Sequence, residues 1–234
     1  MMVTEKKIRS SICGIILSLI ATACASTEQA KETTRESIDQ NAREISKLEI
    51  TQSSLDDLTA SWPEASRKAI SDLTEKYGLP NEATASMVIW HNNGPWKRSI
   101  VYKEEVTHLF PKKHPDVLEQ FVNYQVPVDK FDDIARYDGS VIVERTKGEM
   151  SARCDKEEMN FLALNLAQEI AEGKKTSQEA RKEYAKSAMS FMAGKENDYT
   201  DNLNFRVSKN TADPDHRVMK EMMTGKDSEQ ASQE

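Results

Sequence analysis

Residues 140–154, SVIVERTKGEMSARC, permit very few arrangements. A two-residue turn at Lys147-Gly148 sets Val141 opposite Cys154, Val143 opposite Ala152 and Arg145 opposite Met150. The apolar members then share one face, and Glu144 and Ser151 share the other. A slip by one residue would scramble both faces, so the segment predicts a hairpin with one side buried. Cys154 falls on that side, where a thiol behaves as a small, inert hydrophobe.

A second hairpin is expected at IWHNNGPWKRSIVY, Ile89 to Tyr102. Met87 to Trp90 and Ile100 to Tyr102 are apolar on both faces, as in a strand covered from two sides. Asn93-Gly94 supplies turn chemistry, and Pro95, which has no N–H, belongs to the loop. A four-residue loop sets His91 opposite Trp96, and a five-residue loop sets Trp90 opposite Trp96. Either way two rings meet near the tip.

Around the hairpins lie helical patterns. Ser61-Trp62-Pro63-Glu64 has the spacing of a capping box, and the stripe Ala65, Ala69, Ile70, Leu73 and Tyr77 runs from it to Gly78. Asp155 with Glu158, and Thr176 with Glu179, open two more helices. Pro115-Asp116 starts one carrying Val117, Phe121 and Tyr124, and Phe131 to Tyr137 forms a short one. The order α-ββ-α-α-ββ-α-α describes an α+β domain: an antiparallel sheet of two hairpins packed with about five helices. It occupies residues 61–207. Residues 24–60 read as a polar, partly helical tether, and residues 208–234 as a flexible polar tail.

The chain begins with Lys6, Lys7 and Arg9, followed by an uncharged apolar run from Ile12 to Ala23. That run is shorter than the roughly 20 residues a bilayer-spanning helix needs. A basic start, an apolar run and small residues at its end describe a signal peptide over residues 1–23. Two cleavages fit. Ala23-Cys24-Ala25 allows a cut before Ser26. Ala21-Thr22-Ala23-Cys24 resembles the lipobox of bacterial lipoproteins, with Ala21 where leucine is usual. That resemblance implies a cut before Cys24, which becomes the lipidated N-terminus of an envelope protein facing the periplasm. Ala25, rather than aspartate, then points to the outer membrane. Two or three acyl chains would anchor it, since one alone binds only marginally. Cys154 is left single, unless Cys24 pairs with it. Lys76-Tyr77-Gly78-Leu79-Pro80, followed by a hairpin bearing Trp90, also looks a little like small outer-membrane assembly lipoproteins, and implies no functional residue.

The full chain has a formal charge of −7. Without residues 1–23, which hold three bases and one acid, it has −9. Such a chain repels phosphate backbones, so nucleic acid is not an expected partner.

No nucleophile elbow, phosphate-binding glycine loop, CxxC or HExxH occurs. Trp96, Lys97, Arg98 and His91 at the first hairpin's tip suggest a contact surface for an envelope protein or peptidoglycan, with Trp96 partly exposed. His91, His108 and His114, with Asp116 and Glu119, have metal-ligand chemistry. Their spacing matches no common motif, however, and Lys112 and Lys113 crowd the loop, so neither a metal nor a cofactor is expected. The favoured function is non-catalytic binding at the envelope. The alternatives are a metal-dependent or hydrolytic enzyme using the histidine region, and a small-ligand carrier.

Overall fold

The computed structural model describes residues 50–195, 197–208, 211 and 213–219. Cys24 and the signal peptide lie outside them. The helices are α1 (Gln52–Thr59), α2 (Glu64–Tyr77), α3 (Phe131–Tyr137), α4 (Glu157–Ala171), α5 (Ser177–Met192) and α6 (Asp198–Asp201). The strands are β1 (Glu82–Ala83), β2 (Met87–His91), β3 (Arg98–His108), β4 (His114–Asn123), β5 (Val141–Glu144) and β6 (Glu149–Cys154). The architecture is α+β, with one six-stranded antiparallel sheet in the order β1-β2-β3-β4-β6-β5. No helix among the described residues is long and apolar enough to cross a membrane.

β4 makes one sheet out of two hairpins. The helix expected from Pro115 to Tyr124 is instead the strand His114–Asn123, paired with β3 on one side and β6 on the other. Residues Asp116 to Gln120 are all buried, so the strand shows no polar alternation. Its buried polar groups are bonded internally, Glu119 to Tyr102 and Ser151, and Gln120 to Ser99 and Asn160. A central strand of this kind has no period-two signal, and the spacing of Val117, Phe121 and Tyr124 then imitates a helix.

The register arranges side chains in rows, because opposed residues in antiparallel strands share a face. Val88, Val101, Leu118 and Cys154 form one row. Trp90, Ser99, Gln120, Ala152 and Val141 form the next on the same face. This face carries two apolar clusters. One gathers Leu73 and Ile70 of α2 over Val88, Trp90 and Leu118, with Leu55 of α1. The other gathers Phe161, Leu162 and Leu166 of α4 and Tyr184 of α5 over Val122, Met150 and Cys154. Between them runs a polar seam of Ser99, Gln120 and Glu157.

Both hairpins depart from the expected register. In the second, Val141 opposes Ala152 and Val143 opposes Met150, two residues from the expected pairing, so the faces are kept. The Glu144 carboxylate accepts from the Thr146 and Lys147 N–H groups, which closes a longer loop than Lys147-Gly148 alone. In the first, His91 opposes Arg98 and six residues form the loop. Asn92 (φ 53°) and Gly94 (φ 62°) take left-handed conformations there, and a Cβ on Gly94 would lie 2.9 Å from Tyr77. The loop can close on that ring only with glycine at this position.

The helix starts differ as well. Thr51 and Ser54 build a capping box at α1, inside the expected tether, and Leu55 is buried, so the folded unit begins at Ile50. Pro63 caps α2 without a side-chain bond, and Lys156 does the same for α4. The Thr176–Glu179 box is present at α5. Part of the expected loose tail docks: the Thr211 hydroxyl donates to the Lys147 carbonyl, and Asp215 pairs with Arg145.

Candidate functional site

The hairpin tip is an internal splice. Trp96 is 1% exposed and Trp90 2%, so Trp96 does not face solvent as expected. The two rings do not meet either; they lie in different clusters. Trp96 stacks on Phe161 at 4.7 Å and donates through Nε1 to Glu157 Oε1 at 2.5 Å. Trp90 donates to the Gly78 carbonyl at 2.9 Å. Lys97 and Arg98 turn to the buried Glu149 carboxylate, at 2.5 and 2.7 Å. Arg98 also lies 3.6 Å over the Phe121 ring. Burial opposes the charge on Glu149, but these two cations outweigh it and its pKa lies below the usual carboxylate value. His91 is exposed and paired with Glu82 at 2.7 Å.

Glu157 is the centre of the polar seam. Its Oε1 accepts from Tyr77 (2.7 Å), Trp96 and Gln120 (3.0 Å), and its Oε2 accepts from Lys76. Burial again opposes the charge, but Lys76 and these donors hold the pKa below its usual value. The carboxylate is saturated, and it joins α2, the hairpin loop, β4 and α4.

The histidines behave differently. His108 ends β3 and His114 begins β4, directly opposite one another, and Asp116 follows two residues on, on the same face. One ligand atom from each of these three lies within 4.8 Å of the other two. His114 Nδ1 is 2.8 Å from the Lys112 carbonyl oxygen, and Nε2 is 3.1 Å from Asp116 Oδ1. That last pair is off the line a hydrogen bond needs, so both atoms are buried without a bonding partner. His108 Nδ1 lies 3.3 Å from Ser140 Oγ and 3.6 Å from Asp116 Oδ2, and its Nε2 lies 3.6 Å from Asp138 Oδ1. Ser140 Oγ donates to Asp116 Oδ2, and the Ser140 N–H donates to Asp138 Oδ1 at 2.9 Å. Burial raises the Asp138 pKa, against the Ser140 N–H and the His108 charge. Burial disfavours a charged His114 ring, yet Asp116 and the Lys112 carbonyl outweigh it, and the pKa lies above that of an ordinary imidazole.

Comparison with family models, curated proteins and solved structures finds no match for this chain. Of the five residues singled out in the sequence, His108, His114 and Asp116 converge. His91 stays at the far end of β3's partner strand, and Glu119 points to the opposite sheet face, where it accepts from Tyr102 and Ser151. Asp138 and Ser140 carry no signal in the sequence, because they arrive through the α3–β5 connection and only the fold brings them beside residues 24 to 32 positions earlier.

A third feature is a cleft between α2 and the start of α4. Two neighbouring hollows, about 360 and 620 Å³, share Asp72, Lys156 and Glu158 as lining residues. Ala69, Leu73, Leu118 and Pro115 give it apolar walls. Lys68 pairs with Asp72, Lys76 with Glu157, and Lys156 with Asp155. Glu64, Glu75, Glu105 and Glu158 have no basic partner within 4.0 Å among the described residues.

Proposed function

We propose that this chain is an exported, lipid-anchored envelope protein and that its folded unit is a non-catalytic module. The module binds a basic, partly apolar segment of a partner protein in the α2–α4 cleft. The observation that carries this reading is the cleft's make-up: apolar walls beneath four carboxylates that lack basic partners. Such a surface suits a segment alternating lysine or arginine with apolar residues, with charge guiding encounter and apolar burial supplying affinity. The one buried carboxylate lining the cleft, Glu157, is saturated by four donors and held ionised, so it has no proton to exchange near neutral pH. The basic N-terminal segment, the apolar run and the Thr22-Ala23-Cys24 end support export and anchoring through Cys24.

The test places a photo-crosslinking residue at Asp72 in the cleft, and a control at Ile142 on the opposite sheet face, in cells making the full chain. A partner captured at position 72, absent at 142 and lost when Glu75→Lys and Glu158→Lys are added, supports the reading. Equal capture at both positions, or capture indifferent to the charge reversals, refutes it. Cys24→Ser should move the protein out of the membrane fraction; unchanged fractionation refutes the anchor.

A further inference from the structure

We propose that His108, His114 and Asp116 bind one divalent first-row metal ion, zinc before others, leaving one coordination position open to water or an exogenous ligand. This lies outside the cleft and is independent of it.

The first ground is an orphaned pair of atoms. The Lys112 carbonyl can only accept, so His114 Nδ1 carries a proton, and in the neutral ring Nε2 holds a lone pair. That lone pair faces a carboxylate oxygen, Asp116 Oδ1, at 3.1 Å, and both atoms are buried without a hydrogen bond. Two buried acceptors in that position repel unless a cation joins them. A proton on Nε2 relieves the charge but meets Oδ1 off the line of a hydrogen bond, so both atoms still lack a bonding partner. A metal needs no such line. Nitrogen and oxygen ligands each about 2.0–2.2 Å from a tetrahedral zinc lie roughly 3.3 Å apart.

The second ground is the surrounding shell. Metal-binding imidazoles usually give their other N–H to a carbonyl or carboxylate, which sets the tautomer and ring orientation. His114 gives Nδ1–H to Lys112, and His108 Nε2 lies 3.6 Å from Asp138 Oδ1, ready to settle on it once an ion takes Nδ1 from its 3.3 Å contact with Ser140 Oγ. Asp116 accepts from Ser140 through Oδ2, which leaves Oδ1 for the ion. Asp138 is held in turn by the Ser140 N–H.

Two imidazoles and one carboxylate select zinc or a neighbour over calcium and magnesium, which prefer all-oxygen shells. The objection from the lysines falls away for Lys112. Its ammonium lies 3.0 Å from Met192 Sδ, while its carbonyl orients His114. His108 and His114 are only partly covered, so the ion has a way in.

The test is calorimetric titration of the full mature chain, carrying Cys24→Ser for solubility, with zinc chloride. One equivalent should bind. His114→Gln and Asp116→Asn should each weaken binding at least about 100-fold, and Ser140→Ala about 10–100-fold through the outer shell. His91→Gln should change nothing. Cobalt(II) in place of zinc should give the visible absorption of a tetrahedral N/O site. No binding at about 1 mM zinc, or binding indifferent to His114→Gln and Asp116→Asn, overturns the proposal. If circular dichroism shows that one variant has unfolded, the other and Ser140→Ala decide.

Discussion

Removing the Glu157 carboxylate should be among the costliest single changes in the folded unit. Glu157→Ala strands four donors: Tyr77 OH, Trp96 Nε1, Gln120 Nε2 and the Lys76 ammonium. Trp96 and Gln120 are fully buried, so water cannot replace the lost acceptor for them without a cavity forming. Each buried, unsatisfied donor costs about 1–3 kcal/mol. Lys76 is 52% exposed and regains water, so its share is at most about 1 kcal/mol. The total expected is about 3–5 kcal/mol, a large part of the roughly 5–15 kcal/mol that holds a domain together. Glu157→Gln keeps an acceptor for the three neutral donors but turns its amide toward Lys76, so about 1.5–3 kcal/mol is expected. Urea unfolding followed by tryptophan emission measures both, through the midpoint at constant slope. The pH dependence adds a signed check. Because the folded pKa of Glu157 lies below its unfolded value, its contribution is complete above the usual carboxylate range and is lost as pH falls through the folded pKa. Glu157→Gln should therefore lose less stability than the wild type on acidification below about pH 4.3. A Glu157→Ala cost under about 1 kcal/mol, or identical acid profiles for the wild type and Glu157→Gln, would refute the account of the seam.

Three further outcomes follow. Trp96→Ala and Trp90→Ala should destabilise alike, by about 3–5 kcal/mol, since both rings are buried; a melting temperature left unchanged by Trp96→Ala would contradict the burial. Cys154 should resist thiol reagents in the native protein and react fast in denaturant, because burial pushes its pKa up; rapid native labelling would count against this. Gly148→Ala should cost about 1–2 kcal/mol, because φ is +61° and the added Cβ would fall 2.4 Å from Gln125 Oε1 and 2.5 Å from Thr211 Cβ; unaltered urea midpoints would show the turn to be looser than described.

The class of fold was legible because the outer strands and helices obey simple periods. Val141, Val143, Met150, Ala152 and Cys154 keep one face even though the loop is longer than a tight turn would make it. β4 was not legible, since Glu119 and Gln120 look like helix surface until their partners in β3, β6 and α4 are known. Trp96 misled for a related reason. Its neighbours Pro95 and Lys97 suggest a wet loop, but the loop folds over the sheet and lays the ring on Phe161. The histidines and Asp116 have ligand chemistry in the sequence, but their spacing does not show which of them converge. That convergence depends on the β3–β4 register, which places His108 opposite His114, and on Asp138 and Ser140 arriving from beyond α3.

The polar seam also bears on how the sheet finds its alignment. Apolar rows tolerate approximate matching, since one branched side chain packs much like another. The Glu157 carboxylate does not, because its three neutral donors come from α2, the β2–β3 loop and β4, and meet only when these and α4 are correctly placed. Sliding β4 by one residue would turn Gln120 to the opposite face and, depending on direction, bring either Glu119 beneath Glu157, setting two carboxylates against each other, or Phe121, which offers no donor. The seam therefore acts as a key that penalises misassembly more than it rewards assembly. Replacing Glu157, Gln120 and Ser99 together by apolar residues of matching size should leave a protein that still collapses. It should then populate more than one strand alignment, visible as doubled amide resonances along β4.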